Sequence, residues 1–168
     1  MTTLLIYAGP GDAAGDGTRT GGLPLVPSGF TWPHCGSCDA PLQFTAQVRV
    51  GPVIAVFHCR HESRAFRFAA DRLSGPAAAP GAVLSDVSAV RFVEAPGNYA
   101  QARDAWPRRR DVLGQLGGSP VWLRGEQIPD CPACGTAMAF VAQLEVDGGC
   151  AYVFTCRPCA EAACCYQC

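Results

Sequence analysis

The side chains able to do chemistry in this sequence are mostly sulfur. The 168 residues include eleven cysteines: Cys35, Cys38, Cys59, Cys131, Cys134, Cys150, Cys156, Cys159, Cys164, Cys165 and Cys168. Four of them form two Cys-x-x-Cys pairs, Cys131-Pro132-Ala133-Cys134 and Cys156-Arg157-Pro158-Cys159, with a hairpin-sized interval between. Each pair is a tight turn that aims two sulfurs the same way, and the hairpin folds one pair over the other. Four thiolates then complete a tetrahedron around one metal ion. Such a shell leaves no position for water, so the metal would be structural rather than catalytic. Zinc is the expected ion, although four thiolates also hold iron and spacing alone does not separate the two. The competing reading is four unrelated buried thiols.

A second, less regular cluster lies upstream, with Cys35-Gly36-Ser37-Cys38 followed by Cys59. Three thiolates and one imidazole are a common zinc shell, which makes His61 the expected fourth ligand, with His58 and His34 as alternatives. Thiols that pack in the core without metal are the other reading. The expected metal ligands are thus Cys131, Cys134, Cys156 and Cys159 for one zinc, and Cys35, Cys38, Cys59 and His61 for a second. No catalytic residue is expected. The sequence holds no His-Glu-x-x-His motif, no phosphate loop and no Ser-His-Asp order. All three histidines lie at the first cysteine cluster, where the thiols serve better as ligands than as nucleophiles. Cys150, Cys164, Cys165 and Cys168 read mainly as small buried hydrophobes, and the adjacent Cys164 and Cys165 face opposite sides of a strand.

The elements that must position these ligands come as a repeat. Gly21 to Val48 (GGLPLVPSGFTWPHCGSCDAPLQFTAQV) aligns with Gly117 to Leu144 (GGSPVWLRGEQIPDCPACGTAMAFVAQL) at one constant offset of 96 positions. It pairs Cys35 with Cys131, Cys38 with Cys134, Phe44 with Phe140 and Gln47 with Gln143. One extra residue in the second turn moves the offset to 97, pairing Phe57 with Phe154 and Cys59 with Cys156; continued, this offset sets Glu62 against Cys159. In each copy an alternating segment follows the Cys-x-x-Cys: Leu42–Val50 or Met138–Val146. A turn comes next, Gly51-Pro52 or Asp147-Gly148-Gly149, and then an apolar run, Val53–His58 or Ala151–Thr155. That is the pattern of a β-hairpin.

Leu4–Tyr7, Val87–Val93 and Ala163–Cys168 read as further strands, and Tyr99–Ala105 as a short helix that ends before Trp106-Pro107. The glycine-rich Gly9–Gly22 reads as a mobile surface loop, Leu73–Gly81 as a flexible linker and Arg108-Arg109-Arg110 as a solvated face. The expected fold is mostly β and internally duplicated, two zinc-ribbon-like β-hairpin units packed into one compact protein. Its expected segments are 1–70 (first repeat unit), 71–115 (linker) and 116–168 (second repeat unit, the zinc ribbon).

Hydrophobic residues are 49% of the chain, enough for a core, and the formal net charge of −1 disfavours a nucleic-acid partner. The start, Met1-Thr2-Thr3, lacks a basic region and the apolar Leu4–Ala8 is too short for a signal core. No run approaches the ~20 apolar residues that span a bilayer. A cytoplasmic protein without a membrane partner is therefore expected, with reduced thiols available to metal.

Leu116–Leu123 (LGGSPVWL), Cys131–Gly135 (CPACG), Met138–Leu144 (MAFVAQL), Gly149–Cys156 (GCAYVFTC) and Tyr166-Gln167 resemble the YwqG-like family of bacterial proteins and the related C-terminal part of programmed cell death 2 proteins. The resemblance implies a duplicated, mostly β fold without known catalysis. The programmed cell death 2 branch acts as a chaperone for a ribosomal protein, which implies a protein or peptide partner. The leading expectation is a non-catalytic, zinc-stabilised interaction or chaperone-like module, with Trp32 and Trp122 near the knuckles as interface anchors or core. The alternative is a thiol-rich zinc-homeostasis or redox-sensing protein. A nucleic-acid-binding zinc ribbon is disfavoured by the charge.

Overall fold

A computed structural model describes residues 1–78, 80 and 86–168. Its strands, in chain order, are β1 (Thr2–Pro10), β2 (Arg19–Thr20), β3 (Leu25–Pro27), β4 (Gln43–Arg49), β5 (Val53–His58), β6 (Ser63–Phe68), β7 (Leu73–Pro76), β8 (Ser88–Ala95), β9 (Val112–Leu116), β10 (Ala139–Val146), β11 (Gly149–Cys156) and β12 (Glu161–Gln167). The helix α1 (Tyr99–Asp104) begins at Asn98, whose side chain accepts the Gln101 N–H while the Gln101 side chain returns to the Asn98 N–H. This capping box fixes the start of a helix too short to persist on propensity alone. The protein is mostly β and duplicated, as the sequence pattern implies.

The chain divides into two units: Met1–Ala8 with Val90–Cys168, and Gly9–Ala89. In the unit that carries the second copy, the strands run β12-β11-β10-β9-β1-β8. The strand β11 (GCAYVFTC), flanked by β12 and β10, is buried at every position, which is why it reads as one apolar run rather than an alternation. It joins β10 through Asp147 (φ 49°) and Gly148 (φ 76°), with Val146 opposite Gly149, the two-residue turn that Asp-Gly favours. One core patch gathers Leu4, Ile6, Ala95, Tyr99, Ala102 and Val112 under α1, and another gathers Tyr152 and Phe154 around the cysteines.

In the unit that carries the first copy, β2-β4-β5-β6 form the sheet, Ser88 and Ala89 pair with β2, and β3 pairs with β7. Here β5 is the fully buried strand. Its Phe57 meets Phe30, Trp32, Phe44 and Phe66 with ring centroids 5.3–6.1 Å apart. The fully buried rings, Phe44 and Phe57, each contribute roughly 1.5–3 kcal/mol by leaving water.

The duplication is visible bond by bond. Both copies shift register at one place, between Phe44 and Ala46 and between Phe140 and Ala142. The buried Gln47 accepts the Leu25 N–H at 3.1 Å, and the buried Gln143 accepts the Val121 N–H at 2.9 Å. Gly21 donates to Thr45 O at 2.8 Å, and Gly117 to Val141 O at 2.7 Å. Even β2 has its counterpart, since Arg19 lies opposite Gln47 as Gln115 lies opposite Gln143.

Two expectations change, and the compact units cut across the repeat. The segments 1–70, 71–115 and 116–168 follow the repeat along the sequence, whereas the compact units follow pairing. The strand β1, from the beginning of the chain, pairs with β9 and so belongs with the second copy. The flexible linker Leu73–Gly81 contains β7, because an edge pairing with β3 tolerates Gly75 and Pro76; Ala79 and Gly81 lie outside the described residues. The glycine-rich Gly9–Gly22 is pinned rather than mobile. Arg19 is 3% exposed and donates to the carbonyls of Gly15, Gly21 and Leu23, while Gln47 donates to Gly15 and Gly17. Burial lowers the Arg19 pKa, and the carbonyls and the Phe44 ring face hold the cation in place of water.

Candidate metal centres

The two knuckles are built alike. Cys131 N–H donates to Thr136 O at 2.9 Å and Gly135 N–H to Cys131 O at 2.8 Å; in the first copy Cys35 donates to Ala40 O and Asp39 to Cys35 O, both at 2.9 Å. A bridge closes each turn at its base, Asp130 to Ala137 and His34 to Pro41. The turn requires a left-handed residue just after the second cysteine, and that residue is Gly135 (φ 70°) in one copy and Asp39 (φ 57°) in the other. A β-carbon there is strained by about 1 kcal/mol, less for Asp than for most residues. Asp39→Gly is therefore expected to raise the denaturant midpoint of the first-copy unit by an amount worth about 0.5–1 kcal/mol. An unchanged or lower midpoint would show that the Asp39–His34 contacts outweigh the strain.

These knuckles meet the turn that follows the second hairpin strand. The ligand atoms of Cys131, Cys134, Cys156 and Cys159 all lie within 4.8 Å of one another, and so do those of Cys35, Cys38, Cys59 and His61. All eleven cysteines are free thiols. A tetrahedron with metal–sulfur bonds of about 2.3 Å sets its sulfurs about 3.8 Å apart. Cys134 Sγ and Cys156 Sγ are 3.8 Å apart. His61 Nδ1 is 4.0 Å from Cys35 Sγ, against about 3.6 Å for a nitrogen and a sulfur on one zinc ion. Both donor sets thus fit a zinc-sized cation without rearrangement of the backbone.

The electrostatics point the same way. The Thr136 hydroxyl and N–H, helped by the neighbouring thiols, hold Cys134 down to about 6. Cys159 is pushed up to about 12, chiefly by Cys134 and Cys156 beside it. Four sulfurs this close cannot all ionise unaided, because each thiolate repels the next; a divalent cation at their centre removes that conflict.

The strand register corrects the alignment around the fourth ligand. Phe57 faces Arg64, as Phe154 faces Ala163, so β6 matches β12 at an offset of 99 positions rather than 97. Glu62 therefore matches Glu161, not Cys159. Two residues, Arg60 and His61, separate Cys59 from Glu62, where four separate Cys156 from Glu161. The shortened turn has no room for a Cys-x-x-Cys, and the longer imidazole reaches the cluster instead. Glu62 serves the knuckle in another way: its Oε2 accepts the Gly36 N–H at 2.6 Å and its Oε1 accepts from Arg64 Nε. Those bonds hold its carboxyl below the usual carboxylate range. The second knuckle has Pro132 at the Gly36 position, which offers no N–H to satisfy.

The other candidates lie outside the two donor sets. His58 is buried with Nδ1 2.6 Å from Thr45 Oγ1, and His34 contacts Asp39. Cys150 is buried and accepts from Gln143 Nε2 at 3.4 Å. Cys165 packs beside the second cluster with its thiol on Gln127 O, and burial pushes it up to about 11. Cys164 is half-buried and Cys168 exposed, so the buried-hydrophobe expectation fits Cys150 and fails for Cys168. Trp32 and Trp122 are half-buried and pack against the clusters: Trp32 donates to Leu42 O at 2.8 Å, and Trp122 lies over Tyr152 with centroids 4.4 Å apart.

Sequence reasoning missed one site-shaping residue, Gln167. Its side-chain oxygen accepts the N–H groups of Leu123 and Arg124, both at 3.1 Å, and its amide donates to Gly125 O at 2.7 Å. The loop that leads into the second knuckle is thereby fixed. A polar residue in the last strand, surrounded by apolar ones, was the available signal.

No protein-family model and no solved structure matches the chain. Among curated proteins it is similar to "Uncharacterized protein YpfL" of Salmonella typhimurium (strain LT2), 38% identical over 64 residues, which make up 33% of this chain and 15% of that protein. The chain thus spans about 15% of the length of that relative.

Proposed function

We propose that the chain is a non-catalytic, two-zinc protein-interaction module. The observation that carries this is the closed donor set of each cluster, above all the four thiols of Cys131, Cys134, Cys156 and Cys159. Four protein donors fill a zinc shell, leave no position for substrate or water, and staple the open end of a hairpin. Three thiols and one imidazole at the first cluster favour zinc over iron–sulfur chemistry. This reading agrees with the resemblance to the YwqG-like family.

The surface best suited to a partner lies in the second-copy unit. A cleft of about 470 Å³ is walled by Val112, Leu113, Leu123 and Val146, with Arg109 and Arg110 at its rim. Leu123 is 49% exposed on the loop that Gln167 holds rigid, so an apolar side chain is presented at little entropic loss. Inside, Glu145 is already engaged by the Tyr99 hydroxyl at 2.7 Å and Arg103 at 3.2 Å. Asp147 also lines the cleft, opposed by Arg109 and Arg110, which leaves a largely apolar groove with a basic excess that suits a polypeptide segment bearing an apolar side chain beside an acidic one. Capture from the native host with the wild-type chain and with a Leu123→Asp/Arg110→Glu variant tests this. A protein retained by the first and lost from the second supports the reading; equal retention, or none, overturns it.

A further inference from the structure

Because the two clusters are copies, their differences can be compared directly. Two of the four donors are buried in the second, Cys131 and Cys156, and one is exposed, Cys134. In the first only Cys35 is buried, and both Cys38 and His61 are exposed. Aromatic rings pack both clusters, Trp122, Phe140, Tyr152 and Phe154 at the second and Phe30, Trp32, Phe44 and Phe57 at the first, so the difference lies in the exposure of the donors. The first depends for its knuckle geometry on a carboxylate from the facing turn, Glu62 on the Gly36 N–H, where the second has the fixed ring of Pro132.

We propose that the first cluster is an exchangeable metal site and the second a permanent one, with Glu62 the positioning residue that sets the hold of the exchangeable site. The proposal rests on the zinc reading and adds a division of labour between the two ions. Metal exchange starts when one protein donor leaves and a competing ligand takes its place. A neutral imidazole on an exposed side chain, at the end of a two-residue turn, leaves more easily than a buried thiolate. Three thiolates around a divalent cation also carry one negative charge fewer than four, so the ion is held by a weaker field. The acceptor is any ligand of higher zinc affinity that reaches the His61 side, such as a small chelator or another thiolate cluster. Loss of a hydrogen bond that orients a ligand lowers metal affinity by about 10–100-fold, which sets the expected weight of Glu62.

The test uses the full chain loaded with zinc and challenged with excess 4-(2-pyridylazo)resorcinol. Two equivalents should leave in two phases at least about tenfold apart in rate, with Glu62→Ala speeding only the fast phase by about tenfold. His61→Cys should bring the fast phase towards the slow one. Alkylation of the wild-type chain after the fast phase needs no variant to fold; it should label Cys35, Cys38 and Cys59 while Cys131, Cys134, Cys156 and Cys159 stay protected. A single phase, or first labelling at the second cluster, overturns the proposal. A chain that binds fewer than two equivalents at saturation fails the zinc reading itself, which separates the two failures.

Discussion

Replacing Cys156 by serine is expected to remove one of two metal ions and to destabilise the second-copy unit by more than about 5 kcal/mol. Structural zinc contributes roughly 10–16 kcal/mol to small domains, comparable to the whole stability of an ordinary one. Cys156 is the last residue of β11 and lies opposite Glu161, so a metal ion bound to its thiolate would tie the mouth of the β10–β11 hairpin to the Cys131 knuckle. A serine hydroxyl is a far poorer zinc ligand, and the remaining three thiolates repel one another. Cys150→Ser is the control. That thiol is just as buried, but it is not one of the four donors and accepts from Gln143. It should keep both ions and shift stability by about 1 kcal/mol. Metal content and denaturant melts of both variants check this; equal melts and equal metal for the two would show that Cys156 is merely packed.

Gly114→Ala should be nearly as damaging, for a reason unrelated to metal. Gly114 sits in β9 between Leu5 of β1 and Leu144 of β10, beside the register shift at Leu5 and Ile6. Its φ is 149°, and an added β-carbon would lie 1.9 Å from the Gln143 carbonyl oxygen. That atom is backbone, so relief requires β9 and β10 to separate. The same movement displaces Gln143, whose side chain holds Val121 and, through it, the approach to the knuckle. A loss of more than about 3 kcal/mol is expected. Gly17→Ala, where nothing lies within 4 Å, should stay within about 0.5 kcal/mol of wild type. Melting curves of the two variants decide, and matching curves would contradict the close approach of the strands.

Much of this was legible because the decisive features are local. Cys-x-x-Cys spacing, the Asp147-Gly148 turn and the burial of β5 and β11 depend on neighbours within a hairpin. Hidden from the sequence were features set by long-range pairing. Two-residue β2 has no alternation to read, and β6 (Ser63–Phe68) mixes Arg64 and Arg67 with Phe66 and Phe68 because it is the last strand of its sheet. The match of Glu62 to Glu161 shows only in the register of β6 and β12. The pairing of β1 with β9 joins residues more than one hundred positions apart, which no window along the chain reports. Arg19 is the sharpest case: nothing in its glycine-rich surroundings marks it as buried, yet carbonyls from its own loop surround it.

The most direct measurement is the number of metal ions per chain in the purified protein, taken by plasma mass spectrometry after gel filtration. Two zinc ions per chain, with one lost in Cys156→Ser, are predicted. A metal-free chain that folds cooperatively and ignores added chelator would contradict the account.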